Sequence, residues 1–172
     1  MVAVHLASPV VTRRFGRVLA GLLRPPAVVT LHGELGTGKT TLVRAALRAL
    51  GARGAITSPS FTMAQSYVGR GGTRLHHLDL YRLSPGDDAA LFAWSDYLDG
   101  ESIVFVEWPE AATMELPAAD VGVSLAHETL TSRNASVLAR SALTSELMAG
   151  LAGAGISATV TSESPAQAGE AS

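Results

Sequence analysis

Gly33-Glu34-Leu35-Gly36-Thr37-Gly38-Lys39-Thr40 is the stretch that decides the fold. It has the form G-x-x-x-x-G-K-[ST], a glycine-rich phosphate-binding loop. The apolar run Ala27-Val28-Val29-Thr30-Leu31-His32 stands before it and reads as a buried strand. Behind it, residues 41–50 have helical periodicity, with Leu42, Ala46 and Leu50 on one face beside Val43 and Leu47. Strand, glycine turn and helix are the context the motif requires. Glycines let the N–H groups from Glu34 through Thr41 approach a polyphosphate, and the helix N-terminus adds partial positive charge there. Lys39 is placed to bridge the outer phosphates, and the Thr40 hydroxyl to ligate a magnesium ion. The thirteen Lys and Arg residues include a single lysine, Lys39. A compact ammonium on a flexible stem suits a cradled phosphate where a planar guanidinium does not.

The remaining composition narrows the class. A chain of 172 residues with 47% hydrophobic content fits one domain with a proper core. The net charge of −2 provides no strongly basic footprint for direct nucleic-acid binding. The absence of cysteine excludes disulfides, thiol catalysis and Cys-based zinc sites. No apolar run approaches a membrane span, and no signal peptide is visible, so a cytoplasmic protein is expected. The sequon Asn134-Ala135-Ser136 is then a coincidence. Residues 153–172, dominated by Gly, Ala, Ser, Thr, Pro and Glu, are expected to be a disordered tail on a domain of residues 1–152.

In chain order, Ser8-Pro9 caps an amphipathic helix that ends before Pro25-Pro26. Thr12 falls on its polar side, where spacing alone suggests a solvated hydroxyl. The segment Ile56–Thr62 is rich in hydroxyls and stiffened by Pro59. It is either a switch loop, with Ser60 and Thr62 sensing the terminal phosphate, or a plain turn. Strands are expected over Met63–Val68 and Thr73–Leu83, joined at Gly69–Gly72. Asp79 among apolar neighbours suggests a partly buried acid that organises a magnesium ion or a water, the alternative being a bond to Arg82 or a loop. His76 and His77 point to opposite faces, which favours structural roles. A short helix is expected over Ser84–Trp94. The run Ser102–Val106 reads as a strand buried on both faces, delivering Glu107 at its carboxyl end in the Walker B arrangement. Trp108 is either core filler or a lid over the nucleotide. A late hairpin over Val121–His127 and Ala135–Arg140 and a helix over Leu143–Leu151 complete the chain. The fold class is α/β: a P-loop NTPase-like three-layer fold with a mixed parallel and antiparallel central sheet.

Four markers in fixed order are Gly-Glu-Leu-Gly-Thr-Gly-Lys-Thr-Thr, Ser-Pro-Ser-Phe-Thr, His-Leu-Asp-Leu-Tyr-Arg-Leu and Val-Glu-Trp-Pro-Glu. Over residues 8 to 150 the chain resembles the bacterial TsaE (YjeE) family, the ATPases of tRNA threonylcarbamoyladenosine synthesis. The resemblance implies a small cytoplasmic ATP hydrolase that binds ATP and Mg²⁺. Such an enzyme is weak alone, is stimulated by the TsaB–TsaD heterodimer, and meets tRNA only through that complex. It implies Thr40 and Glu107 as magnesium ligands, Asp79 and Lys39 as catalytic residues, and Thr12 and Arg133 near the nucleotide. The family has threonine where this chain has Ser60, so the hydroxyl is kept. Two other readings of the loop remain: a kinase of a small metabolite, and a nucleotide-binding switch without turnover. The stretch Ser84–Leu98 lacks the arginines of a kinase lid.

Overall fold

A computed structural model describes residues 1–83, 94–112 and 116–161. Eight strands form one sheet: β1 (Val2–Leu6), β2 (Ala27–His32), β3 (Ala64–Val68), β4 (Arg74–Asp79), β5 (Ile103–Glu107), β6 (Val121–His127), β7 (Arg133–Ala139) and β8 (Ala158–Val160). Their spatial order is β3-β4-β5-β2-β6-β7-β1-β8. The centre is parallel, with β4 beside β5, β5 beside β2 and β2 beside β6. Both margins are antiparallel: β3 pairs with β4, and β6, β7, β1 and β8 follow in alternating directions. The mixed sheet expected from the sequence is therefore present. β5 is buried along its whole length, which explains its uninterrupted apolar sequence.

Three helices, α1 (Pro9–Leu22), α2 (Lys39–Ala49) and α3 (Ser141–Gly153), contribute to the larger core. Phe15 and Leu19 of α1, Leu42 and Leu47 of α2, and Leu147 and Leu151 of α3 join Val29, Phe105 and Val123 from the sheet. Ser8 caps α1 by accepting from the N–H of Val11, with Pro9 in the first turn. Gly16 brings α1 and α2 together: a Cβ there would lie 2.5 Å from the Leu42 carbonyl oxygen. A second core of Leu78, Leu80, Leu83, Val104, Val106 and Ala112 is separate from the helix-packed one, with Trp94, Leu98 and Trp108 against it.

Three sequence expectations change. β1 was not anticipated, although Val2, Val4 and Leu6 alternate, because a five-residue strand at an end carries little signal. Residues 153–161, expected to belong to a disordered tail, are part of the fold. Ile156 is buried, and Ala158–Val160 pairs with β1 as an added edge strand. The part of the expected tail from residue 162 onward lies outside the described residues. So do residues 84–93, where a short helix was expected; Trp94–Asp96 is a single 3-10 turn. Finally, β4 stops at Asp79 rather than Leu83. The Asp79 carboxylate accepts from the Tyr81 N–H at 3.3 Å, turning the chain out of the sheet.

Candidate functional site

Parallel pairing places three strand ends at one level. Leu31 of β2 and Asp79 of β4 both register against Glu107 of β5. Ligands in open α/β sheets bind beyond such carboxyl ends. The loop 33–38 leaves β2 here and turns back into α2. Gly33, at φ 125°, lies so close to the Leu125 carbonyl that a Cβ would sit 2.1 Å from that oxygen. Only glycine fits, so the loop's first residue is fixed by backbone crowding from β6.

The result is a cleft of about 280 Å³ whose lining includes Gly38, Lys39, Thr40, Asp79, Glu107 and Trp108. Lys39 is 4% exposed. Its ammonium donates to the carbonyls of Gly33 and Glu34, the latter at 2.9 Å, and lies 3.8 Å from the centroid of the Trp108 ring. Burial lowers its pKa below the usual lysine value, while the charges of Glu107, Glu110 and Asp79 oppose that shift. Trp108 packs against Tyr81, with centroids 4.9 Å apart, and takes φ 60°. The ring thus faces the lysine at the cleft, not the core alone.

Glu107 is 2% exposed, and both its oxygens are engaged. The Thr40 hydroxyl donates to Oε2 at 2.9 Å, and His77 Nε2 lies 2.7 Å from Oε1. His77 is fully buried, and its Nδ1 lacks a hydrogen-bond partner. A hydrogen on Nε2 satisfies the carboxylate, whereas one on Nδ1 would be stranded, which assigns the tautomer. The sequence set His77 on the face opposite His76 but did not show its contact with Glu107, which comes from cross-strand pairing. His76, on the other face, meets Ser66 Oγ at 2.8 Å and Ser102 Oγ at 3.1 Å, a structural role.

Asp79 is joined to the 56–62 loop. Ser58 donates to its Oδ2 at 3.0 Å, and Ser60 donates to Ser58 at 3.0 Å. Ser60 therefore reaches the acid through a second hydroxyl, Ser58, that sequence reading had not singled out. Thr62 turns away, donating to the carbonyl of Ala64 at 3.2 Å. Arg82 does not pair with Asp79 but stacks on the exposed Phe61 ring at 4.5 Å.

Arg133 lies beneath the loop. Its guanidinium donates to the carbonyls of Thr37 and Gly36, each at 3.2 Å, and to those of Thr129 and Ser132. It braces the loop through its main chain. Thr12 is not the solvated hydroxyl that spacing suggested. It is 3% exposed, donates to the Ser8 carbonyl at 3.3 Å, and its methyl lies 3.7 Å from where a Gly38 Cβ would be. Close packing of the helix start against the loop overrides its position on the polar arc. Thr37 is buried and bonded to the Glu34 carbonyl at 2.8 Å, while Glu34, Leu35 and Gly36 stay exposed on the outer turn. Thr41 follows on the first turn of α2 and lines the cleft.

The donor set can be tested against a metal. Thr40 Oγ1 and Glu107 Oε2 are hard oxygen donors side by side, and no group of three His, Cys, Asp or Glu side chains is gathered among the described residues. Such a pair suits Mg²⁺, which keeps much of its water and takes few protein ligands beside phosphate oxygens. It does not suit zinc, which wants a closed nitrogen and sulfur set.

The family model described as "Threonylcarbamoyl adenosine biosynthesis protein TsaE" matches residues 6–135. A Streptomyces coelicolor protein of that biosynthesis, TsaE, is 47% identical over 105 residues, covering 60% of this chain and 71% of the relative. The Nostoc TsaE is 34% identical over 152 residues, 87% of this chain and 93% of its own. The crystal structure of Bacillus subtilis YdiB superposes with a TM-score of 0.70 at 24% identity, over 88% of this chain and 96% of that one, and so shares the fold. With the family model spanning α1, the phosphate-binding loop and both acidic strand ends, the chain belongs to the TsaE family of tRNA threonylcarbamoyladenosine biosynthesis.

Proposed function

We propose that this protein hydrolyses ATP with Mg²⁺ in tRNA threonylcarbamoyladenosine synthesis, acting with a TsaB–TsaD heterodimer. The observation that carries the reading is the bond from the Thr40 hydroxyl to Glu107 beside the buried Lys39 ammonium. It joins the loop, the helix start and the acidic strand end at one point. Lys39 and the loop amides bind the polyphosphate and stabilise charge on the transferred phosphoryl group. Thr40 and Glu107 would hold a Mg²⁺ ion, which would supply charge neutralisation for the phosphates. His77 holds Glu107 in place through Oε1. Asp79, steadied by Ser58, orients the attacking water. Arg133 is occupied by loop carbonyls, and Arg82 rests on Phe61, so neither is aimed at a γ-phosphate. On this reading the isolated chain turns over slowly.

The experiment is phosphate release from ATP with and without purified TsaB–TsaD, for the natural chain and Lys39→Ala. The expected result is slow release that rises on adding the heterodimer and disappears in the variant. Phosphate transferred to a metabolite instead of water would replace this reading with a kinase. Tight nucleotide binding without turnover under any condition would replace it with a switch.

A further inference from the structure

Away from the cleft, α1 and α2 carry a second constellation. Arg13 and Arg17 lie four apart on α1, and Arg44 and Arg48 four apart on α2. That spacing puts each pair on one helix face, about 6 Å apart along the axis. The close approach at Gly16 sets the two faces side by side. Between them runs a groove of about 470 Å³ with guanidinium walls and the small side chains of Ala45 and Ala49 on its floor. All four arginines are exposed. Arg48 is tied to the Gly54 carbonyl at 2.7 Å. Arg13, Arg17 and Arg44 have no hydrogen-bond or ion-pair partner among the described residues. In a chain of net charge −2, four cations line one groove, and no carboxylate is among its lining residues in the described part of the chain.

We infer that this groove binds the phosphate backbone of RNA, tRNA being the RNA named in the biosynthesis of the relatives. Planar guanidinium forks match phosphate oxygens two at a time. Protein interfaces commonly seat apolar or aromatic anchors beside arginine at their centre. The floor here offers only alanine methyl groups, and the large exposed apolar side chains Leu35, Phe61, Tyr81 and Leu130 lie elsewhere. No aromatic ring lines the groove for base stacking, so contacts are to backbone and independent of sequence. Thr41 lines both the groove and the nucleotide cleft, so a strand held here lies against the helix that starts at the phosphate-binding loop. The inference is independent of ATP hydrolysis.

The test is fluorescence anisotropy of a labelled, unmodified tRNA transcript titrated with the full chain, without nucleotide, over a series of salt concentrations. Arg13→Gln/Arg17→Gln/Arg44→Gln is compared with the natural chain and with the corresponding triple Lys variant. Arg48 is left intact because it braces a loop. Expected are binding at low salt and an affinity at least about 10-fold weaker in the Gln variant. The slope of log affinity against log salt should fall by about 3, one for each phosphate contact removed. The Lys variant should keep most of the binding, and equal melting temperatures would show that the fold is intact. Undetectable tRNA binding by the natural chain at low salt would overturn the inference. So would equal binding by the Gln variant. A Gln variant that lost affinity for TsaB–TsaD while binding tRNA normally would assign the groove to an acidic protein surface instead.

Discussion

Replacing His77 with leucine tests the linkage between β4 and the acid of β5. The imidazole is fully buried and gives Glu107 one of the two hydrogen bonds that hold its carboxylate. A hydrogen bond to a buried charged group contributes about 1.5–3 kcal/mol, and removing the donor strands the acceptor. At this chain length each kcal/mol moves the melting temperature by about 2–4 °C, so a loss of about 2 kcal/mol lowers it by about 4–8 °C. The carboxylate is then free to rotate away from Thr40. Under the proposed role of Glu107 in holding Mg²⁺, losing the partner that orients it should cost about 10- to 100-fold in metal affinity. The assay pairs thermal unfolding, followed by circular dichroism, with the Mg²⁺ concentration that gives half-maximal ATP hydrolysis. His77→Gln retains an N–H donor on a chain of similar reach and should recover much of both losses. A leucine variant with unchanged melting temperature and Mg²⁺ requirement would refute the assigned role of His77. Equal damage from leucine and glutamine would show that shape, not the donated hydrogen, is what matters.

Arg133→Ala should weaken nucleotide binding by about 10-fold, read by calorimetry, because the Gly36 and Thr37 carbonyls lose the guanidinium that holds the loop. Gly16→Ala should cost about 1–3 kcal/mol in urea unfolding, since its methyl would meet the Leu42 carbonyl of α2. Lys39→Met should change how stability varies with pH. Burial lowers the native pKa of Lys39 below 10.5, so between those two values the unfolded chain holds the extra proton. The natural chain therefore gains stability relative to the Met variant as pH rises through that alkaline interval. Denaturant midpoints of both proteins across the interval measure it.

Much of the site was legible because its signals are local. The loop declares itself in eight consecutive residues, and the run Ser102–Val106 announces both a buried strand and the acid that follows it. What escaped depends on pairing distant in sequence. His77 meets Glu107 across 30 residues through the β4–β5 register. Arg133, named beforehand only through the family resemblance, reaches the loop across 96 residues from the start of β7. Thr12 was misplaced because helical periodicity reports one partner surface, whereas α1 also packs its first turn against the loop. The strand at Ala158–Val160 hides in a composition typical of linkers, its position set by β1 rather than by its own sequence. The arginine groove was obscured for a different reason: net charge sums over the chain, and a sum near zero says nothing about how the charges are grouped.

The contact between Lys39 and Trp108 has an optical consequence. An ammonium 3.8 Å from an indole centroid perturbs the electric field across the excited fluorophore. When a polyphosphate replaces the Gly33 and Glu34 carbonyls as the lysine's partner, that field changes. The chain has two tryptophans, and Trp94→Phe would leave Trp108 as the sole emitter. The protein would then report occupancy of its own cleft by the wavelength and lifetime of its intrinsic fluorescence, with no label attached.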